Sequence, residues 1–558
     1  MKEQQQISRF WPLALGLAAV LLLLPQLSLP PLNSAEAQAG LVARDMVESG
    51  GSWLDCTIAG DRVEVPFLLV WAAALSSLSF GEVNEFTLRL PSVISLLLAV
   101  LSGVLMARRY GGNLSALITG ACALSSIGAV QMAAKADGQV MSAALLGAAW
   151  LVWFELSRSG SRWLFAWIGG LGLAFLASTL SGLHCLVFFY LPLIFVRRPT
   201  DVRKRLFQLQ HLAALALVTV AAMLLQWLLS LGGAQAFALL PPLFPNDSGD
   251  VQFHAGEEAV GYFSHLISFP FKVGIYLLPW TLLAWPAFCE SFRSLERHPL
   301  LFTWLRTACI IPFIATWLIP DAKVDTLLPL LIPISVMTGL HYPMLMRRHE
   351  AMLRRCFVFI LVLILIVSAS LAALYLSQIL VRQHPTLPFS LERSRVILPM
   401  SLFAAGLSLY LLASRHHAAT SSAFRLLGLL VALHLATPGL RQFLRPAVIS
   451  QEEFASSLAP KIPAGTAVAN AVIRDNNKQL NLWGELFHLQ RPILPVRGPL
   501  QQESLPKEIY AIGRSSPPLS QRLRDPSWYT WEVVEKLAPY NGINDLQLWR
   551  GIHKSSAP

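Results

Sequence analysis

Charge is what this chain has least of: Asp, Glu, Lys and Arg together supply 13% of its 558 residues, where a soluble protein carries roughly a quarter. With 54% hydrophobic residues, 29 Phe and 16 Trp, the shortage excludes a water-soluble globular protein of this length. Cysteine is also sparse. The six residues at 56, 122, 185, 289, 309 and 356 lie scattered, mostly in apolar segments, so they form neither a disulfide framework nor a metal-binding spacing. No internal repeat is visible, which counts against carriers built from duplicated halves. What remains is a polytopic α-helical membrane protein.

The charge that is present is placed with a bias. The net charge of +11 would suit nucleic acid only if it were gathered on one surface. It sits instead in short loops between apolar runs: Arg108-Arg109, Arg158 with Arg162, Arg197-Arg198 with Arg203-Lys204-Arg205, Arg293 with Arg297, Arg347-Arg348 with Arg354-Arg355, and Arg415. This is the positive-inside pattern of a membrane protein, and no nucleic-acid partner is expected. Runs near 10–29, 90–107, 112–134, 138–157, 163–181, 183–196, 208–231, 270–292, 300–320, 324–342, 356–376, 396–413 and 422–438 predict about 13 transmembrane helices. The first run has the basic flank of a signal peptide, and Ala35-Glu36-Ala37 imitates a cleavage site. Its length reads as a retained span.

With the N-terminus in the cytoplasm, every basic loop falls inside. A transmembrane domain over 1–438, with outer-face loops 30–89 and 232–269, is then followed by a soluble outer-face α/β domain over 439–558. Strand-like VANAVI, QLNLW and EIYAIG and a helical EVVEKLA support the latter. The short apolar segment 66–80 is placed as a juxtamembrane or re-entrant helix, because a further crossing would invert the charge pattern; a true span is the alternative.

On this topology several acids, bases and histidines share the outer face: Glu36 and Asp45, then Asp55 to Glu64, Lys135 and Asp137, His254 to His265, and Asp321, Lys323 and Asp325. Such a set suits group transfer from a lipid-linked donor. A carboxylate can take a proton from an incoming hydroxyl. A cation can hold a phosphate and stabilise it as it leaves, and His with carboxylates can gather a divalent metal for the same task. The plain alternative for each residue is a solvated loop charge.

The first outer loop carries a longer pattern. Ala35-Glu36, Arg44-Asp45-Met46, Ser49-Gly50, Trp53, Gly60, Glu64-Val65-Pro66, Trp71, Phe80-Gly81, Glu85-Phe86 and Arg89-Leu90-Pro91 follow one another in order. In order and spacing they resemble the opening of the bacterial aminoarabinose transferases and protein O-mannosyltransferases, integral membrane glycosyltransferases of GT-C type. SFPFKVGIYLLPWTLL at 268–283 and DAKVDTLLPLLIP at 321–333 are fainter echoes, and Asp137 matches an acid after the third span.

The resemblance implies a GT-C fold in a bacterial inner membrane, with the C-terminal domain periplasmic. It also implies a polyprenyl-phosphate sugar donor and a lipid or protein acceptor, with transfer expected to invert the sugar. The departures concern charge. Ala35 stands where the family has its first acid, Val65 and Ser181 replace lysines, and Thr326 replaces a tyrosine. The catalytic candidates are therefore Glu36, one position along, and Asp137. Lys323 and Arg89 are assigned to donor phosphate or to structural anchoring, and Glu64 with His265 to a divalent metal implied by the family. The alternative is a catalytically degenerate member that binds polyprenyl-phosphate lipid or assists another envelope enzyme.

Overall fold

A computed structural model describes residues 2–24, 27, 31–48, 53, 57–58, 61–62, 65–157, 162–195, 208–231, 255–278, 280–293, 296–320, 322–380, 391–413, 425–436, 451–469, 472–475, 478–491, 506–513, 529–537, 540 and 546–553. In chain order the principal helices are α1 (Lys2–Leu23), α2 (Ser34–Glu48), α3 (Phe67–Phe80), α4 (Glu85–Ser125), α5 (Ile127–Ala133), α6 (Gly138–Ser157), α7 (Trp163–Ser181), α8 (His184–Phe195), α9 (Leu209–Leu231), α10 (Ala255–Tyr276), α11 (Pro299–Trp317), α12 (Leu331–Leu380), α13 (Leu391–Ala413), α14 (Arg425–Ala436), α15 (Gln451–Leu458) and α16 (Trp483–Leu489). The chain forms two compact units.

The first unit comprises 1–29, 89–226 and 238–445. Among the described residues six helices are long and apolar enough to cross a membrane, and five more are apolar but shorter. Hydrocarbon leaves backbone N–H and C=O groups no water to bond, so apolar runs satisfy them internally as helices. Two of the helices are far longer than one crossing needs. α4 breaks at Gly112, whose φ of 81° lies in a region open to glycine but strained for other residues. α12 breaks at His349. Both breaks fall beside arginine pairs, where the sequence predicts loops between successive spans.

The core of this unit is aromatic. Trp150, Trp153 and Trp167 are buried with Phe188, Phe189 and Trp304, and the Trp153 ring meets Trp163 and Trp167 edge to face at 6.0 and 5.6 Å. Where helices approach most closely, glycine makes room: a Cβ on Gly339 of α12 would strike Thr119 and the Ser115 carbonyl of α4, and one on Gly147 of α6 would strike Ile332. A buried ion pair fixes the entry to α11. Glu296 holds the Arg306 guanidinium through both oxygens, Arg306 Nε donates to the Ala287 carbonyl at 2.5 Å, and the buried His341 ring lies 3.5 Å from Glu296.

The second unit joins 30–88 to 446–558, with 227–237. A four-stranded sheet runs in the order Ala467–Ala469, Glu508–Gly513, Gln547–His553, Tyr529–Lys536; the first pair is parallel and the others antiparallel. α15 and α16 pack beside it over a core of Phe454, Leu486, Ile512 and Leu548. The α/β character expected of the tail is thus present. α2 is fastened to the tail: Arg44 Nη1 donates to the Phe487 carbonyl at 3.0 Å, and Gln451 bonds both the Leu32 amide and carbonyl at 2.9 and 3.0 Å. α3, the segment at 66–80, packs against α2 within the same unit.

Candidate functional site

The strongest convergence of polar groups lies in the first unit, where α5, the start of α6, the end of α10 and the 3-10 turn Val324–Leu330 pack together. Asp137 opens α6 as its cap. Its Oδ1 accepts from the Gln139 amide at 3.0 Å, satisfying one of the orphan donors of a helix start. The residue is half-buried.

α10 brings Tyr276 to this point, and two contacts lock the turn that follows. The Ile127 amide donates to the Leu278 carbonyl at 3.0 Å, and Trp280 Nε1 donates to Ser125 Oγ at 2.9 Å. The Tyr276 ring sits over Gly128, where a Cβ would overlap it. Its hydroxyl is shielded from solvent without a well-formed hydrogen bond, next to the Asp325 carboxylate and within electrostatic range of Asp137. A phenol flanked by two carboxylates, one of them at a helix N-terminus, can position an acid and pass it a proton.

A second polar group stands one turn into α6. Ser142 and Ser181 flank the Cys185 thiol, with Ser181 Oγ at 3.3 Å and His184 Nε2 at 3.6 Å. Gly182, at φ 120°, makes the turn from α7 into α8 that brings His184 and Cys185 back toward Ser181. His184 is buried, its ring edge-on to Phe188.

The residues singled out from the sequence fare differently. Glu36 is buried in the second unit and closes a reciprocal capping box: its Oε2 accepts from the Asn33 amide at 2.9 Å while Asn33 Oδ1 accepts from the Glu36 amide at 2.8 Å. Arg89 is fully buried and donates from Nη1 to the Leu27 carbonyl at 2.6 Å, a contact of the anchoring kind. Lys323 is exposed and caps the 3-10 turn, its carbonyl accepting from Thr326 Oγ1 at 2.7 Å. The Thr326 hydroxyl is thereby engaged in its own turn, and threonine is too short to reach where a tyrosine would.

Glu64 lies outside the described residues. His265 is half-buried on α10 with its ring 4.9 Å from Phe269. Among the described residues no three His, Cys, Asp or Glu side chains gather as a metal would require, so those residues alone do not fit a divalent cation and no step is derived through one. Sequence reasoning missed Tyr276 and His184. The one signal was a tyrosine inside an apolar run directly before Leu-Leu-Pro-Trp; the lone histidine after Gly182 gave none.

Comparison with known proteins adds to this geometry. Residues 64–227 match the family model of dolichyl-phosphate-mannose-protein mannosyltransferases. That stretch holds Asp137, Ser142, His184 and Cys185. The fold is similar to that of ArnT from Cupriavidus metallidurans, solved bound to undecaprenyl phosphate and in the apo state, each at TM-score 0.66, 16% identity and 98% coverage of both chains. An oligosaccharyltransferase from Archaeoglobus fulgidus matches at TM-score 0.42 and 12% identity, over 87% of this chain and 65% of its own. No curated protein matches the sequence. The chain is a multi-pass membrane protein whose fold is similar to that of ArnT, a GT-C fold.

Proposed function

We propose that this protein transfers a sugar from a polyprenyl-phosphate carrier to a hydroxyl of a lipid or protein acceptor, at the periplasmic face of a bacterial inner membrane. The observation that carries the reading is the grouping of Asp137, Tyr276 and Asp325 in a GT-C fold whose similar structure, ArnT, was solved with undecaprenyl phosphate bound. The acceptor oxygen attacks the anomeric carbon as its proton passes to Asp137. The bond from that carbon to the phosphate oxygen breaks, and the electron pair leaves with the lipid phosphate. Direct displacement inverts the anomeric centre. Tyr276 and Asp325 set the electrostatic surroundings of Asp137, and Lys323 supplies a cation for the departing phosphate.

A second reading rests on a specific observation. Ala35, Val65 and Thr326 replace charged or phenolic groups of the family, and Glu36 is engaged in a capping box. These features suit a member that binds the carrier lipid without turning it over.

Two measurements separate the readings. Radiolabelled sugars on a panel of polyprenyl phosphates are offered to the purified protein with native membrane extract, and the carriers are compared for protection against heating. An enzyme transfers label and is protected differently by charged and uncharged carrier. Equal protection with no transfer across the panel supports the binding reading and overturns the enzymatic one.

A further inference from the structure

Beyond the break at His349, α12 carries a feature that the transfer reaction does not use. Glu350, Ala351, Arg354, Arg355, Val358, Phe359 and Val362 form one open surface along the helix. Four-residue spacing stacks Glu350, Arg354, Val358 and Val362 in one row and Ala351, Arg355 and Phe359 in the next. The result is a single stripe, charged at one end and apolar at the other. Phe359 is 71% exposed, and Val358 and Val362 are exposed beside it, as suits side chains that meet acyl chains.

The cations of this stripe have no ion-pair partner among the described residues. Arg354 and Arg355 are exposed, and neither forms an ion pair with a described residue; even Glu350, one turn before Arg354, makes none. Arg348 adds a further charge, its guanidinium 5.3 Å above the Phe292 ring. A guanidinium offers phosphate a planar pair of donors, and basic clusters where a span leaves the membrane attract anionic headgroups. Two arginines against one carboxylate on the stripe, with Arg347 and Arg348 just before the break, favour a headgroup of net negative charge over a zwitterion.

We propose that this stripe binds an anionic phospholipid of the surrounding bilayer, with its phosphate on Arg354 and Arg355 and an acyl chain over Val358, Phe359 and Val362. The site shares no residue with the proposed transfer centre, so it stands or falls independently of it.

The test uses the full-length protein, stripped of lipid in detergent and offered phosphatidylglycerol or phosphatidylcholine at equal mole fraction, with retained lipid counted by native mass spectrometry. Wild type is expected to retain phosphatidylglycerol in preference. The double variant Arg354→Gln/Arg355→Gln loses about tenfold of that retention, the scale of a charge-assisted hydrogen bond, while melting as wild type does. Arg162→Gln, a control in another loop, leaves retention unchanged, and Glu350→Gln raises it. Equal retention of the two phospholipids, or a preference undiminished in the double variant, overturns the proposal. Loss of retention in Glu350→Gln also overturns it, because that result assigns the site to an amine-bearing zwitterion.

Discussion

Asp137 and Glu36 are both acids at the start of a helix, and both cap it, yet their surroundings give them different work. Glu36 stands at the third position of α2, buried, in a reciprocal exchange with Asn33 that closes the helix end. Asp137 caps α6 from outside with one oxygen, half-buried, with a shielded phenol and a second carboxylate close by. A helix N-terminus favours a carboxylate in either place. What turns a cap into a candidate base is the second layer of polar groups, and among the described residues the α6 end brings together residues from α10 and the Val324–Leu330 turn.

A third acid sharpens the comparison. Glu485, in the first turn of α16, is buried and accepts a hydrogen bond from Tyr540 at 2.5 Å, while its other oxygen is buried with no partner among the described residues. Burial pushes its carboxyl above the ordinary value of 4.5, and the tyrosine bond opposes that rise. A carboxylate beside a phenol is thus found in both units, once where it serves the packing of the tail and once where it can serve chemistry. A fourth acid, Glu296, is neutralised outright by Arg306.

Four substitutions test these distinctions. The largest effect on stability is expected from Glu296→Ala, which strands the half of an ion pair that is already desolvated; a loss of about 3–5 kcal/mol should appear as a sharply lower melting temperature or loss of the folded protein in detergent. Tyr276→Phe removes the hydroxyl that lies in the electrostatic field of Asp137 and Asp325, so transfer should fall about fivefold, the ~1 kcal/mol scale of one polar interaction, with melting little changed. Glu36→Ala opens the capping box and should cost about 1 kcal/mol, read as a lower melting temperature of the second unit with transfer retained by the folded fraction.

The smallest effect is one of pH. A carboxyl whose folded value is raised stabilises the fold below its unfolded value and loses that contribution as pH rises through the folded value. Glu485→Gln should therefore gain in melting temperature relative to wild type as pH is raised from about 4 to 7. A constant difference across that range would contradict the assignment.

Much of the fold could be read directly, because hydrocarbon forces apolar runs into helices and arginine pairs mark where they turn. The break of α12 at His349 falls between spans placed from sequence alone, and that of α4 at Gly112 falls on the first residue of one. The site was only partly legible. Asp137 stood out as an acid after a span, but Tyr276 lies about 140 positions further along and reaches it only through the Gly128 contact and the locked turn at 278–280. The capping box of Glu36 could have been read as Asn-x-x-Glu before a helix; the resemblance, shifted by one residue, placed it among the catalytic candidates. The Glu296–Arg306 pair was hidden because its members bridge a helix entry and share no periodic pattern.

The central claim is that Asp137, and not Glu36, accepts the proton of the acceptor. The most direct measurement is sugar transfer by Asp137→Asn and Glu36→Gln, side by side, at matched concentrations of folded protein and with the same carrier-linked sugar. The account predicts a loss of roughly 100- to 10,000-fold for Asp137→Asn, the range of a general base, and transfer near wild type for Glu36→Gln. Undiminished transfer by Asp137→Asn, with loss in Glu36→Gln, would contradict it and return the chemistry to the first outer loop.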